Sequence, residues 1–221
     1  MYNNYMMKIN PVIFKSYDIR GIYPSELNEE TAFRVGKAFV KFVGAKKIVV
    51  GRDARLSGDA LFHSLTKGIT EMGADVFNIG QTPTECLYFA VGNYDFDAGI
   101  MITASHNPKE YNGFKMIQKN EEEIKIIRGK DLLDLVVQKI EGFGQKGKII
   151  EKDIWRDFTN YILSFIDLSK IIPLKVIIDA SNGVAGKAIL KIQDKLPVEI
   201  IPLNFEPDGN FPNHSPNPLE K

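Results

Sequence analysis

The chain has 221 residues, with 28 lysines and arginines against 28 aspartates and glutamates, and 44% hydrophobic residues. That length holds one large domain or up to two ordinary ones of ~100–200 residues, and the composition is neither that of a disordered chain nor of a membrane protein. Zero net charge argues against a general nucleic-acid or anionic-membrane binder, and the single cysteine, Cys86, can form neither an intrachain disulfide nor a cysteine-based metal site, which points to a reducing compartment.

Residues 1–10 read as an N-terminal extension without an apolar core of signal-peptide length, and Met7 is an alternative start. No run approaches the ~18 apolar residues of a membrane span, so the cytoplasm is the expected location. Asn28 is placed to cap a helix whose first turn carries Glu29 and Glu30. Its expected apolar stripe is Ala32, Val35, Phe39, Phe42 and Val43, and Gly44 stops it. Ile48-Val49-Val50 reads as a buried strand ended by Gly51. A second helix uses Leu61, Leu65, Ile69 and Met72, and a second strand covers 76–79. Pro83 is expected at the first position of a third helix, where the missing N–H costs nothing. An apolar strand follows over 98–103, another over 113–118, then a helix over 131–140.

Gly142-Phe-Gly-Gln-Lys-Gly147 is punctuation and a candidate domain boundary. Beyond it the pattern predicts a helix over 153–166, a strand over 176–179, a helix over 183–195 and a strand over 198–203. The alternation predicts an α/β protein with a sheet covered on both faces.

Ligands in open α/β sheets collect at the carboxyl ends of strands. Three polar segments follow apolar runs: Ser16-Tyr-Asp-Ile-Arg-Gly21 after Val12-Ile13-Phe14, Gly51-Arg-Asp-Ala-Arg-Leu-Ser-Gly58 after Ile48–Val50, and Ala104-Ser-His-Asn-Pro-Lys-Glu-Tyr-Asn-Gly113. They share one sheet edge if their strands are parallel; ordinary solvated turns are the alternative. In the third, Asn107-Pro108 and Asn112-Gly113 make turns that present Ser105 at a tip. Adjacent side chains on extended backbone diverge, so His106 is badly placed to take the Ser105 proton, and no Gly-x-Ser-x-Gly elbow exists. A serine hydrolase is therefore disfavoured. An exposed tip suits a phosphorylated serine instead. Arg52 and Asp53 are expected to form a buried pair that fixes their loop. His63 is expected at a helix surface, His214 either facing a cleft or in a structural turn, the 121–123 glutamates in a solvated turn, and Cys86 in the core.

Thr103-Ala-Ser-His-Asn-Pro-Lys-Glu-Tyr-Asn-Gly-Phe-Lys115 closely resembles the phosphoserine loop of the α-D-phosphohexomutases, in the phosphomannomutase/phosphoglucomutase branch. Tyr17-Asp-Ile-Arg-Gly21 and the Gly51–Gly58 stretch resemble further motifs of that family, in order. So do Asp179-Ala-Ser-Asn-Gly-Val-Ala-Gly186 and Asp208-Gly-Asn-Phe-Pro-Asn-His-Ser-Pro-Asn-Pro218. The resemblance implies a phosphoglucomutase domain I-like fold over 11–145, a mixed sheet sandwiched by helices, and an incomplete second α/β domain over 146–221. It implies interconversion of hexose 1- and 6-phosphates of mannose or glucose, through a phosphoserine and a bisphosphorylated sugar, which also serves as activator. Ser105 would carry the phosphoryl group, with Arg20 and Lys115 as cations beside it. Tyr17, His106 and Asn107 would line the site or position its loop. Mg²⁺ would reach the site through the Ser105 phosphate, its other ligands being absent from this sequence, as are the family's sugar-recognition and C-terminal phosphate loops. On that reading the chain is the N-terminal portion of a longer mutase, inactive alone and completed by C-terminal domains. Its expected substrate is a hexose phosphate, with no nucleic acid or membrane partner, and an exposed sheet allows a homo-oligomer. The alternative is a naturally short, non-catalytic binding or regulatory module.

Overall fold

The computed structural model describes residues 9–121 and 123–220. Most of the N-terminal extension, including Met6 and Met7, and Glu122 of the glutamate run lie outside the described residues. The first helix, α1 (Glu29–Val43), begins where the Asn28 side chain accepts the Thr31 N–H at 3.0 Å and ends at Gly44 in the left-handed region at φ 68°. Its buried face is Ala32, Val35, Gly36, Phe39 and Val40; Phe42 turns outward at 43% exposure, being out of phase with the i, i+3, i+4, i+7 stripe that starts at Ala32.

Strands β2 (Lys47–Arg52), β3 (Asp75–Gln81) and β4 (Ala98–Ile102) are parallel, with β2 between the other two. The long β5 (Tyr111–Asn120) pairs antiparallel with β4 and with β1 (Ile19–Ile22), so β1 runs in the same direction as β4. The Val12–Phe14 run is not a strand. Pro11 opens a 3-10 turn over Pro11–Ile13 capped by Asn10, and the motif that follows is itself β1. Two edge strands were not foreseen in the sequence. The strand β6 (Glu123–Ile127) folds back on β5 after a turn at Glu121, and β7 (Ile149–Glu151) adds parallel to β3. The first sheet therefore continues past residue 145, the position expected to divide the chain.

Strand alternation sorts the core into two layers. Ile48, Val50, Ile100, Ile102 and Phe114 face α1, α2 (Gly58–Glu71) and α4 (Gly129–Val136). Val49, Met101 and Ile117 face α3 (Thr84–Asn93) and α5 (Trp155–Leu163). Pro83 is the residue before α3 rather than its first, a displacement of one position. The expected mixed sheet with helices on both faces is present. Where α1 crosses α2 the helices nearly touch: a Cβ on Gly36 would meet the Leu65 carbonyl at 2.3 Å, and one on Gly68 the Phe33 carbonyl at 2.1 Å.

The remaining chain forms a βαβ unit. Strands β8 (Lys175–Asp179) and β9 (Glu199–Leu203) pair in parallel around α6 (Ala185–Leu190) and a 3-10 turn over Gln193–Lys195, so the single helix expected over 183–195 is broken in two. Its buried residues lie in its turns and helix, not its strands: Ala180, Asn182, Gly186 of α6 and Gly209 lie inside while Ile177 is 64% exposed.

Candidate active site

Because β2 and β4 are parallel neighbours, the loops that follow them emerge at the same sheet edge. The second of these carries Ser105. It leaves β4 with the Thr103 N–H on the Gly113 carbonyl at 3.0 Å and closes two turns, Asn107 N–H to Ala104 O and Tyr111 N–H to Pro108 O. A turn at Asn107-Pro108 is expected; the one expected at Asn112-Gly113 is absent, because both residues are paired with β1 inside β5, and the loop closes one turn earlier, over 108–111. Ser105 sits at φ 56°, in the left-handed region that serine occupies only when its surroundings hold it there. The holding chain starts at Asp53: the Thr103 hydroxyl donates to Asp53 Oδ2 at 2.6 Å and accepts the Ser105 N–H at 2.9 Å. The Ser105 side chain is left exposed, with only a long 3.4 Å approach from His106 Nδ1. A serine so presented has no tightly bonded base to activate it as a nucleophile.

Asp53 and Arg52 do not pair with each other. Arg52 Nε meets Asp59 at 2.6 Å, in the first turn of α2, whereas Arg55 Nε meets Asp53 at 3.2 Å. Sequence reasoning assigns Arg55 no role, yet it is buried and its five N–H donors are all matched to acceptors. Nη1 donates to the Pro108 and Tyr111 carbonyls at 2.7 and 2.8 Å, and Nη2 to those of Ser105 and Asn107 at 2.9 and 2.6 Å. Burial pushes the Asp53 carboxyl above its ordinary range, opposed by the Thr103 hydroxyl and the Arg55 amide and guanidinium. Burial likewise lowers the Arg55 pKa, with Asp53 opposing and the nearby charge of Arg20 assisting. The signal for Arg55 was its two-residue spacing from Asp53 on a loop beside the serine loop.

Arg20 reaches the serine loop from β1. Its Nη1 donates to Asn107 Oδ1 at 2.8 Å, its Nη2 pairs with Asp18, and its Nε is buried without a partner. Arg20 lies opposite Gly113 on the sheet, which places it on the same face as Lys115, two residues along β5. The Lys115 side chain has no hydrogen bond or ion pair among the described residues and lines a cleft of about 140 Å³ with Tyr17, Asp18 and Tyr88. Tyr17 is 77% exposed there. Ser105 and His106 line a different cleft of about 320 Å³, between the first sheet's edge and the turns of the βαβ unit, with Thr84, Ser181 and Phe211 on its walls. So Ser105, His106, Asn107 and Arg20 are brought together, while Lys115 and Tyr17 line a separate, smaller cleft.

His63, His214 and Cys86 lie apart from Ser105 in local contacts of their own. His63 Nδ1 lies 2.7 Å from the Asp59 carbonyl within α2. His214 bridges Asp179 and Ser215 rather than facing the serine. Burial pushes the Cys86 thiol up to about 12.

A hard divalent cation takes six or more oxygen ligands. No group of three or more His, Cys, Asp or Glu among the described residues could hold a metal ion, and Asp53, the carboxylate nearest the loop, is already engaged by Thr103 and Arg55. The residues present do not fit a magnesium ion on their own.

Residues 11–135 match the family model described as phosphoglucomutase/phosphomannomutase, alpha/beta/alpha domain I, and residues 156–221 match the model for domain II. The chain is 36% identical over 216 residues to a phosphomannomutase of Escherichia coli, covering 93% of this chain and 47% of that protein. It is 39% identical over 221 residues to a phosphoglucomutase of Neisseria meningitidis, covering 96% and 46%. A crystal structure of a phosphoglucomutase/phosphomannomutase family protein from Burkholderia thailandensis superposes with a TM-score of 0.86 at 36% identity, over 96% of this chain and 48% of that one. The chain spans about half the length of the curated relatives it matches.

Proposed function

The chain belongs to the phosphoglucomutase/phosphomannomutase family, and from that premise we propose that it supplies the phosphoserine half of a mutase that interconverts hexose 1-phosphate and 6-phosphate. The observation that carries this reading is Ser105: an exposed hydroxyl on a strained backbone, held from behind by Thr103, Asp53 and Arg55, with no base closer to it than His106 Nδ1 at 3.4 Å among the described residues. That suits a group that carries a phosphoryl moiety rather than one that attacks an ester. In the forward half-reaction the bond from phosphorus to Ser105 Oγ breaks and a bond to a sugar hydroxyl oxygen forms. The proton lost by that hydroxyl is returned to Ser105 Oγ, and the sugar leaves as a bisphosphate or turns over to give back its other phosphoryl group.

Positioning and charge stabilisation dominate such a transfer. Arg20 holds Asn107 while presenting positive charge to the loop, and Lys115, on the same sheet face with no anionic partner, is the group free to meet phosphate oxygens or move the proton. Tyr17 lines the Lys115 cleft; His106 and Asn107 position the serine. The substrate is a mannose or glucose phosphate, and magnesium would be completed by ligands beyond those described. The C-terminal domains of a longer protein are the partner proposed, and the cytoplasm the location. Among the described residues no helix is long and apolar enough to cross a membrane.

The test is intact-mass analysis of the protein completed by its C-terminal domains, after incubation with a hexose 1,6-bisphosphate and magnesium. One phosphate should appear on the wild-type chain, mapping to Ser105, and none on Ser105→Ala. Lys115→Met should slow the acquisition by about 10²–10³-fold, the cost of removing one charge aimed at a developing oxyanion. Phosphate retained by Ser105→Ala, or absent from the wild type, would sink the reading.

A further inference from the structure

Two regions of the chain meet over Arg55. On one side its guanidinium holds Asp53 and four carbonyls of the 105–111 loop. On the other sits the 208–211 loop of the βαβ unit. Asp208 N–H donates to the Asn182 carbonyl at 2.8 Å, Phe211 N–H donates to Asp208 O at 3.0 Å, and Phe211 adopts φ 49°. Gly209 is packed so closely that a Cβ would meet Ala54 O at 2.6 Å, Leu56 N at 2.7 Å and the Arg55 Cα at 3.0 Å. All three are backbone atoms, so the two loops cannot move independently at this point. The Phe211 ring centroid lies 5.5 Å from the Arg55 guanidinium carbon, and the same ring lines the cleft that contains Ser105.

We propose that the 208–211 loop is a positioning element for the phosphoserine loop. It seats the backbone of residues 54–56 and covers the Arg55 guanidinium with an aromatic face, and Arg55 in turn fixes the 105–111 carbonyls. The physical link is desolvation. Hydrogen bonds to a shielded guanidinium are strong because water does not compete for the same carbonyls, and a ring face attracts the cation while excluding water. Removing the ring admits water and lets the serine loop open locally without disturbing the sheet. Arg55 and Phe211 act through the loop and touch no reacting atom, so they are positioning residues. The catalytic consequence rests on the reading of Ser105 as phosphoryl carrier; the coupling does not.

Amide hydrogen exchange on the 221-residue chain tests it, with the Ser105 phosphate load measured beside it on the protein completed by its C-terminal domains. Phe211→Leu keeps apolar bulk and loses the π face; Phe211→Tyr keeps the face. Phe211→Leu should speed exchange at the Asn107 and Tyr111 amides about fivefold, the factor of a part-shielded cation–π contact, with Phe211→Tyr at the wild-type rate. Gly209→Ala should speed them further, and the 48–50 amides should stay unchanged in all three. Equal rates for the leucine and tyrosine variants, an unchanged loop in all variants, or a rise that includes the 48–50 amides would overturn the proposal. If the wild type takes no phosphate while the leucine–tyrosine difference holds, the phosphoryl-carrier reading fails and the coupling stands.

Discussion

The first sheet and the βαβ unit are both α/β structures, yet they are held together differently. In the first, large side chains such as Phe39, Leu65, Ile100 and Phe114 are removed completely from water between the sheet and its helices. In the second, Ile177, Leu190 and Leu203 are exposed, and the buried groups are Ala180, Asn182, Gly186 and Gly209, of which Gly209 packs on the backbone of residues 54–56. Asn182 is the hub there. Its N–H and carbonyl meet Asn204 and Asp208, its Nδ2 donates to the Glu206 carbonyl at 2.9 Å, and its Oδ1 accepts from Asn213 at 2.8 Å. Apolar burial fixes one region and a polar turn network the other. Both arrangements converge on the same place, the loop edge at Ser105.

The contrast breaks most visibly on a pair of truncations. Phe39→Ala should destabilise the chain by about 3–5 kcal/mol, the cost of a buried phenyl and its cavity, whereas Ile177→Ala in β8 should stay within about 0.5 kcal/mol. Denaturant unfolding followed by the fluorescence of Trp155, the only tryptophan, reads both. A comparable loss from Ile177→Ala would mean that the apolar face of β8 is covered in solution.

A smaller effect sharpens the polar half of the comparison. Asn182→Ala removes two side-chain hydrogen bonds and places alanine at φ 54°, so it should cost about 1–3 kcal/mol for the unpaired groups and part of the left-handed penalty besides. Asn182→Gly loses the same bonds without the steric penalty, so the gap between the two variants measures the backbone part. Exchange protection should fall over 204–213 and hold over the first sheet. Loss of protection in both regions would show that the network supports more than its own loops.

The first region was also the more legible from sequence, for the same physical reason. A fully buried strand announces itself as an apolar run, as Ile48–Val50 and the 98–103 segment did, and Asn28 and Gly44 mark the ends of α1 through local capping chemistry. Phe42 misleads because hydrophobicity alone does not fix phase. The edge strands β6 and β7 were missed since their mostly exposed residues carry no burial pattern. At the site, the Ser105 loop was legible through Asn107-Pro108, while Asn112-Gly113 proved to be strand, and Arg20 was legible through its motif. Arg55 was not, because the carbonyls it holds are 50 to 56 residues away and exist as a set only once two loops share a sheet edge.

The smallest expected effect concerns an exposed ion pair, in contrast to the buried pair of Asp53 and Arg55. His214 Nε2 lies 2.9 Å from Asp179 Oδ2, and Nδ1 lies 2.9 Å from the Ser215 carbonyl. The Ser215 carbonyl, and after it Asp179, hold the imidazole pKa above its ordinary 6.5, and the Ser181 amide, Asn204 and His214 hold Asp179 below its ordinary range. A raised histidine contributes fully below its unfolded pKa and loses that contribution as pH rises through the folded value. A lowered aspartate contributes above its unfolded pKa and loses it as pH falls. The pair is therefore complete between about pH 4 and about pH 6.5 and fades above the histidine's raised midpoint. Both groups are exposed, so screening keeps the effect on stability small and the titration itself is the readout. The His214 ring-proton shift should titrate above 6.5 in the wild type and move towards 6.5 in Asp179→Asn, with the exchange protection of Asn182 unaltered. A midpoint indifferent to Asp179→Asn would mean that the Ser215 carbonyl alone raises it. The charge on Asp179 would then act through the Ser181 amide and the Asn204 side chain, which donate to its Oδ1, and not through His214.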